Sequence, residues 1–327
     1  MKYQDTLYIS DAGAHYAMLS YCPYNKEANI ANKAKFANEI SAHEPHIIIN
    51  GKMTFLNTHG HLNAEQYPYL KSYLLLSMLY ILVGAVWLFF NLKYKEHLIR
   101  IHHAITAIFV ISMIEFILTY VDFDRFNSTG RRNYYFLGVN VTLNVVRNTA
   151  ARVFALLVSL GFGITRHSVA EFHAKIAILA FLFFVSDTIY MVFLYLNHYI
   201  VLRKSILLIA SLPISIVNTV FFYWIIVSLL STLKLLSDTK QRYKHKLIRR
   251  FFLTLLVALI IALVAIIAQF TIALLGSRDR AWNFNFLFEI VWSMIFSGSL
   301  FVIMYILKPN RKSKMLAFSE ELQEETF

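Results

Sequence analysis

Residues 134–167 read YYFLGVNVTLNVVRNTAARVFALLVSLGFGITRH. The stretch is long and apolar enough to cross a bilayer, which takes about 20 mostly apolar residues. It nevertheless carries Asn140, Asn144, Asn148 and Arg152 at steps of four, with Arg147 beside them. On an α-helix, steps of four stack along one slowly drifting face. Such a face is costly against lipid, because a charge at the bilayer centre costs at least about 2.5–3.5 kcal/mol. This helix is therefore expected inside a bundle, with its polar stripe turned towards other helices or a wet cavity. The other spans are read as the wall around that stripe.

The composition agrees with a membrane setting. Hydrophobic residues make up 58% of the chain, and the mean hydropathy is +0.55. Soluble domains lie nearer 45–50% apolar, as a rough average. The fold class read from this is an all-α, polytopic membrane protein. The net charge of +12 would suggest nucleic acid in a soluble protein. Here the basic residues cluster beside hydrophobic spans, so they mark topology and nucleic acid is not expected as a partner. The lone Cys22 rules out a disulfide within the chain. Residues 1–30 lack the apolar core of a signal peptide. Either the first membrane helix translocates the N-terminus, or the true start lies upstream.

Seven hydrophobic spans are read, at about 70–92, 101–121, 135–164, 174–196, 205–233, 249–275 and 283–307. Asp187 interrupts the fourth, and Pro213 in the fifth reads as a kink tolerated within a bundle. Sixteen Lys and Arg residues flank the spans on one side and seven on the other. The richer side is expected to be cytosolic, with the N-terminus lumenal and the C-terminus cytosolic. The chain divides on this reading into a lumenal segment 1–65, a bundle 66–310 and a cytosolic tail 311–327. Within the first segment, HIIIN (46–50) and GKMTF read equally as two short strands or as unstructured sequence. Asn127-Ser128-Thr129 is a glycosylation sequon on the expected lumenal side. Asn140-Val141-Thr142 also fits, but inside a span. The tail ends in EELQEETF, an acidic solvated segment that sorting machinery in the cytosol would be able to read.

The candidate site consists of Glu115, Asn140, Asn144, Arg147, Asn148, Arg152, Asp187 and Glu289. Glu115, Glu289 and the 140–147 segment are expected in the lumenal half, with Asp187 and Arg152 nearer the middle. Two readings stay open. One is a hydrophilic cavity open to the lumen, in which Arg147 and Arg152 are balanced by some of Glu115, Asp187 and Glu289. The other is a set of structural ion pairs that fix helix packing.

Several chemistries find no support. There is no HExxH, and no His pair four apart on a span, so no metal site is expected. No Gly-rich phosphate loop and no GxSxG elbow occurs, so the chain is not read as an enzyme and no cofactor is implied. Span three ends without a DRY-like triplet and span seven without NPxxY, which argues against rhodopsin-like receptors. The run 240–250, KQRYKHKLIRR, reads first as topogenic charge on anionic headgroups and second as a docking surface.

Taken in order, several segments resemble one family. GKMTFLNTHGHLNAEQYPYL (51–70) resembles the junction before the first helix of lung seven-transmembrane receptors, also called GOST proteins. HLIRIHHAITAIFVISMIEFILTY (97–120), with Glu115, resembles their second helix, and RNTAARVFALLVSLGFGI (147–164) the end of their third. YKHKLIRRFF (243–252), FEIVWSMIFSGSLFVIMYILKPN (288–310) and AFSEEL (317–322) resemble the remainder. The likeness is nearest to the transmembrane protein 87-like branch. It departs at Thr58 and His59, where the family tends to have Pro and Tyr. The resemblance implies a lumenal β-sandwich ahead of the helices, of which only a remnant near 46–57 is expected here. It further implies a multi-pass Golgi protein, with endosomes or plasma membrane as other addresses. The implied process is endosome-to-Golgi trafficking. The implied role is a cargo receptor or chaperone that binds a lipid or acylated segment in a polar intramembrane cavity, with membrane lipids and a membrane or lipid-modified cargo protein as partners. A cation-conducting protein is the alternative, and a signalling receptor the third.

Overall fold

The computed structural model describes residues 56–63, 66–162, 170–199, 204–275 and 278–309. All of them fall in the unit Leu56–Phe327, the second of two into which the chain divides. Seven long helices run through it: α1 (Tyr67–Lys93), α2 (Arg100–Thr129), α3 (Tyr134–Ser159), α4 (His173–Tyr199), α5 (Lys204–Asp238), α6 (Arg242–Leu275) and α7 (Arg278–Ile306). Six are long and apolar enough over their described residues to cross a membrane, and α7 is apolar over Ile290–Ile306. The helical membrane bundle expected from the sequence is what the structure shows.

The helix ends follow local chemistry. Pro68 opens α1, where its missing N–H is no loss. The Asn133 side chain accepts from the Tyr135 N–H at 3.0 Å and caps α3. The third span was expected to reach residue 164, but α3 stops at Ser159. Gly161 sits at φ 82°, and the Gly161 and Phe162 N–H groups return to the Val158 and Leu157 carbonyls. This paired closure ends a helix whatever the hydropathy beyond it. The second span was expected to end at 121, but α2 runs on to Thr129 and is closed by Gly130 at φ 64°. An Arg132–Asp122 ion pair at 3.1 Å braces that polar extension. Asp187 leaves α4 unbroken, and Pro213 lies inside α5.

Of the expected β remnant, only Leu56 and Asn57 fall among the described residues. There Asn57 pairs with Gly60 across a tight turn, as an isolated bridge. The turn rests on the end of α2. His61 N–H donates to the Asn127 carbonyl at 3.0 Å, and Leu62 N–H to the Asn127 Oδ1 at 3.2 Å. Asn127 Nδ2 donates to the His59 carbonyl at 2.8 Å. A Cβ on Gly60 would fall inside the Asn127 side chain, so glycine is required there.

The helices close in chain order, each packing on the next, and α7 returns to α1. α3 is the exception, since it packs on α5 as well as on α2 and α4. Among the described residues it meets α7 through Arg147, which lies over Phe296. The buried core is aromatic: Tyr80, Phe116, Phe183, Phe221 and Phe251 are almost wholly enclosed. Tyr80 stacks on Phe109, meets Phe116 at a tilt, and donates to Ser297 on α7 at 3.1 Å. Gly84 lets α1 approach α2 at Phe109.

Candidate functional site

Glu115 lies halfway along α2, about 22 Å from its start by the helical rise. Arg147 is likewise central in α3, and the two form an ion pair. Both are buried. The guanidinium lies between two rings, with its carbon 5.0 Å from the Phe116 centroid and 4.6 Å from that of Phe296. Such contacts are worth about 2 kcal/mol when desolvated, which helps to offset burial of the cation. Arg147 Nε has no hydrogen-bond partner among the described residues.

The amides extend this pair along the stripe. Asn144 Nδ2 donates to Glu115 Oε1 at 3.0 Å. Asn148 Nδ2 donates to Asn144 Oδ1 at 2.9 Å and to Asp187 Oδ2 on α4 at 3.3 Å. The result is a connected path from one buried carboxylate to another: Glu115, Asn144, Asn148, Asp187. The geometry orients both amides, because each carboxylate accepts and each amide nitrogen donates.

Arg152 takes its hydrogen bonds elsewhere than Asp187. Its Nε donates to Asn218 Oδ1 on α5 at 2.8 Å, and another guanidinium nitrogen donates to the Asn148 carbonyl at 3.1 Å. Its carbon stands 4.2 Å from the Phe183 centroid. Asn144, Asn148, Arg152 and Asn218 are half-buried, unlike the enclosed Arg147–Glu115 pair.

The structure thus brings together six of the eight predicted side chains. Asn140 is buried on α3 outside the network, and its Oδ1 has no partner among the described residues. The Glu289 side chain lies outside the described residues. Sequence reasoning missed Asn218 as the partner of Arg152, and missed Phe116, Phe183 and Phe296 as platforms for the cations. In a chain with 28 Phe residues, nothing in the sequence marks these three. Among the described residues, no three His, Cys, Asp or Glu side chains gather as a metal ion would need.

An acidic residue on the second helix meets a basic, amide-rich third helix within seven helices. Residues 68–314 match the family described as GOST, seven transmembrane domain. The chain belongs to the GOST seven-transmembrane family. Among its relatives is Transmembrane protein 87B of Mus musculus, 26% identical over 270 residues, covering 83% of this chain and 48% of the relative. Transmembrane protein 87A of Homo sapiens is 27% identical over 270 residues, covering 81% and 47% respectively. Membrane protein PTM1 of Saccharomyces cerevisiae is 23% identical over 285 residues, covering 84% and 54%. The chain spans about half the length of the curated relatives it matches. These matches agree with the resemblance read from the motifs and place the chain beside the transmembrane protein 87-like GOST proteins.

Proposed function

We infer that this GOST protein acts in Golgi and endosomal membrane trafficking, as a receptor or chaperone for a lipid or an acylated membrane segment. The observation that carries the reading is the half-buried polar path in the bundle interior. Asn144, Asn148, Arg152 and Asn218 remain partly accessible beside a fully enclosed ion pair. α3 carries the stripe and packs on α2, α4 and α5, so these polar groups lie where several helices meet. A polar headgroup or acyl-linked amide suits such a setting, because its donors and acceptors add to those of partly accessible amides and a guanidinium. Golgi membrane, sorting machinery at the tail and lipid-modified cargo belong to the same proposal.

The test is photocrosslinking with bifunctional lipids in cells, followed by mapping of the labelled peptide. Label on α3 or α5 near Arg152, lost in Arg152→Gln, is the expected result. Label spread evenly over the outer helix faces, unchanged in that variant, would leave the stripe a packing device.

A cation-conducting role is the second reading. It is favoured by Asp187, which accepts from an amide rather than from either guanidinium. Ionic current in liposomes that disappears in Asp187→Asn, with the fold retained, would put this reading first.

A further inference from the structure

The basic run 240–250 takes no part in the interior network, and its placement on α6 is informative. The exposed positions there are Arg242, Tyr243, Lys246, Arg249 and Arg250, followed by Leu253, Leu256, Val257 and Ile260. They recur at helical spacing and make one continuous face. The opposite face is buried at Lys244, Ile248 and Phe251. Four cations therefore stand on the same line as the aliphatic side chains that α6 turns outward to the bilayer.

That alignment selects the partner. Cations on the inner face would look into the bundle or into water at its end, whereas cations on this line look along the lipid. By the helical rise, Lys246 and Arg242 stand about 6 and 12 Å further out than Arg250. The headgroup layer is about 5–8 Å thick on each side of the hydrocarbon core. If Leu253 marks the core edge, Arg249 and Arg250 stand about 5–6 Å out, at the phosphodiester level, and Lys246 and Arg242 about 10 and 16 Å out, above its outer limit. A lipid with one phosphodiester reaches the first pair only. A lipid whose headgroup ring carries further phosphate groups reaches both pairs. Asp238, exposed at the end of α5, is the nearest acidic residue along the sequence and lies before the turn. We propose that the exposed basic face of α6, Arg242, Lys246, Arg249 and Arg250, binds a polyphosphorylated inositol lipid at the membrane surface. This site is separate from the interior path and does not depend on the function inferred above.

The experiment uses the purified full chain in nanodiscs of neutral lipid. It is titrated with a fluorescent short-chain phosphatidylinositol bisphosphate, with charge-matched phosphatidylserine or free inositol trisphosphate as competitor. Arg242→Gln/Lys246→Gln leaves Arg249 and Arg250 in place to hold topology. At about tenfold for each 1.4 kcal/mol, and about 1 kcal/mol per basic residue, this pair should weaken binding about thirtyfold. The charge-preserving Arg242→Lys/Lys246→Arg should retain binding, which separates lost charge from a damaged fold. Equal competition by phosphatidylserine would overturn the proposal, as would unchanged affinity in the Gln pair. Full competition by free inositol trisphosphate would also overturn it, by showing a soluble rather than a membrane ligand.

Discussion

Arg147 sits between a carboxylate and two aromatic rings, and its removal would strand Glu115 in the bundle. Arg147→Ala is expected to lower stability by about 3–5 kcal/mol, the usual cost of leaving a buried charge unpaired. Replacing both partners, as Glu115→Leu with Arg147→Met, should recover most of that loss, because the desolvated charges go together. Thermal unfolding in detergent, followed by tryptophan fluorescence, compares the three variants. Asn127 gives a second residue-scale prediction. The sequence marks it as a sequon, but the structure holds its amide under the 56–62 turn, and its Nδ2 already donates to His59. A glycan would be attached to that same nitrogen. A glycosylated form, revealed by a mobility shift with endoglycosidase, is therefore expected to melt at a lower temperature than the unglycosylated form. Asn127→Ala should lower stability by about 1–3 kcal/mol, as a lost hydrogen-bond cluster does. Thr129→Ala destroys the sequon without touching the 56–62 turn; it loses only exposed hydrogen bonds of Thr129 Oγ1 to Arg125 and Arg131 and should cost less than Asn127→Ala.

At the scale of the element, helix ends are decided by one residue at a time. Gly161 and Gly130 hold left-handed backbones that any side chain would strain. Lys240 holds the same conformation, φ 54°, without being glycine. The Lys240 and Gln241 N–H groups close α5 on the Ser237 and Leu236 carbonyls, as Gly161 and Phe162 close α3. Gly161→Ala is expected to destabilise by about 1–2 kcal/mol, the left-handed penalty for a residue with a Cβ. Lys240→Gly is expected to stabilise by about 1 kcal/mol or less, since the relief is offset by a freer unfolded chain. Both shifts are measurable as changes in melting temperature. These closures were only partly legible beforehand. Hydropathy set the span limits, and hydropathy continues past Gly161 while it fades before Gly130. The α2 extension stays helical because Asp122 and Arg132 pair across its end, a contact between two residues that hydropathy counts only as polar.

Across the whole molecule, the distribution of Lys and Arg predicts that the α5–α6 turn and the α2–α3 turn lie on opposite sides of the membrane. Single cysteines introduced at Lys246 and Arg131, in a Cys22→Ser background, should label from opposite sides in sealed vesicles. Labelling of both from one side would contradict the helical order read here. The sequence by itself determined that this chain is a helical membrane bundle, because long apolar spans leave the backbone no other way to satisfy its hydrogen bonds. It also determined that α3 faces inward, because amides at steps of four cannot be left against lipid. Its motifs were enough to point to the GOST family. Only the tertiary structure decided how the charges are settled. Glu115 rather than Asp187 takes Arg147, Arg152 goes to Asn218, and Phe116, Phe183 and Phe296 form the walls beside the cations. The reason is physical: the spacing within a helix fixes which residues share a face, but which residues meet across helices depends on rotation and register. Those are set by packing of the whole bundle, and no local pattern in the chain encodes them.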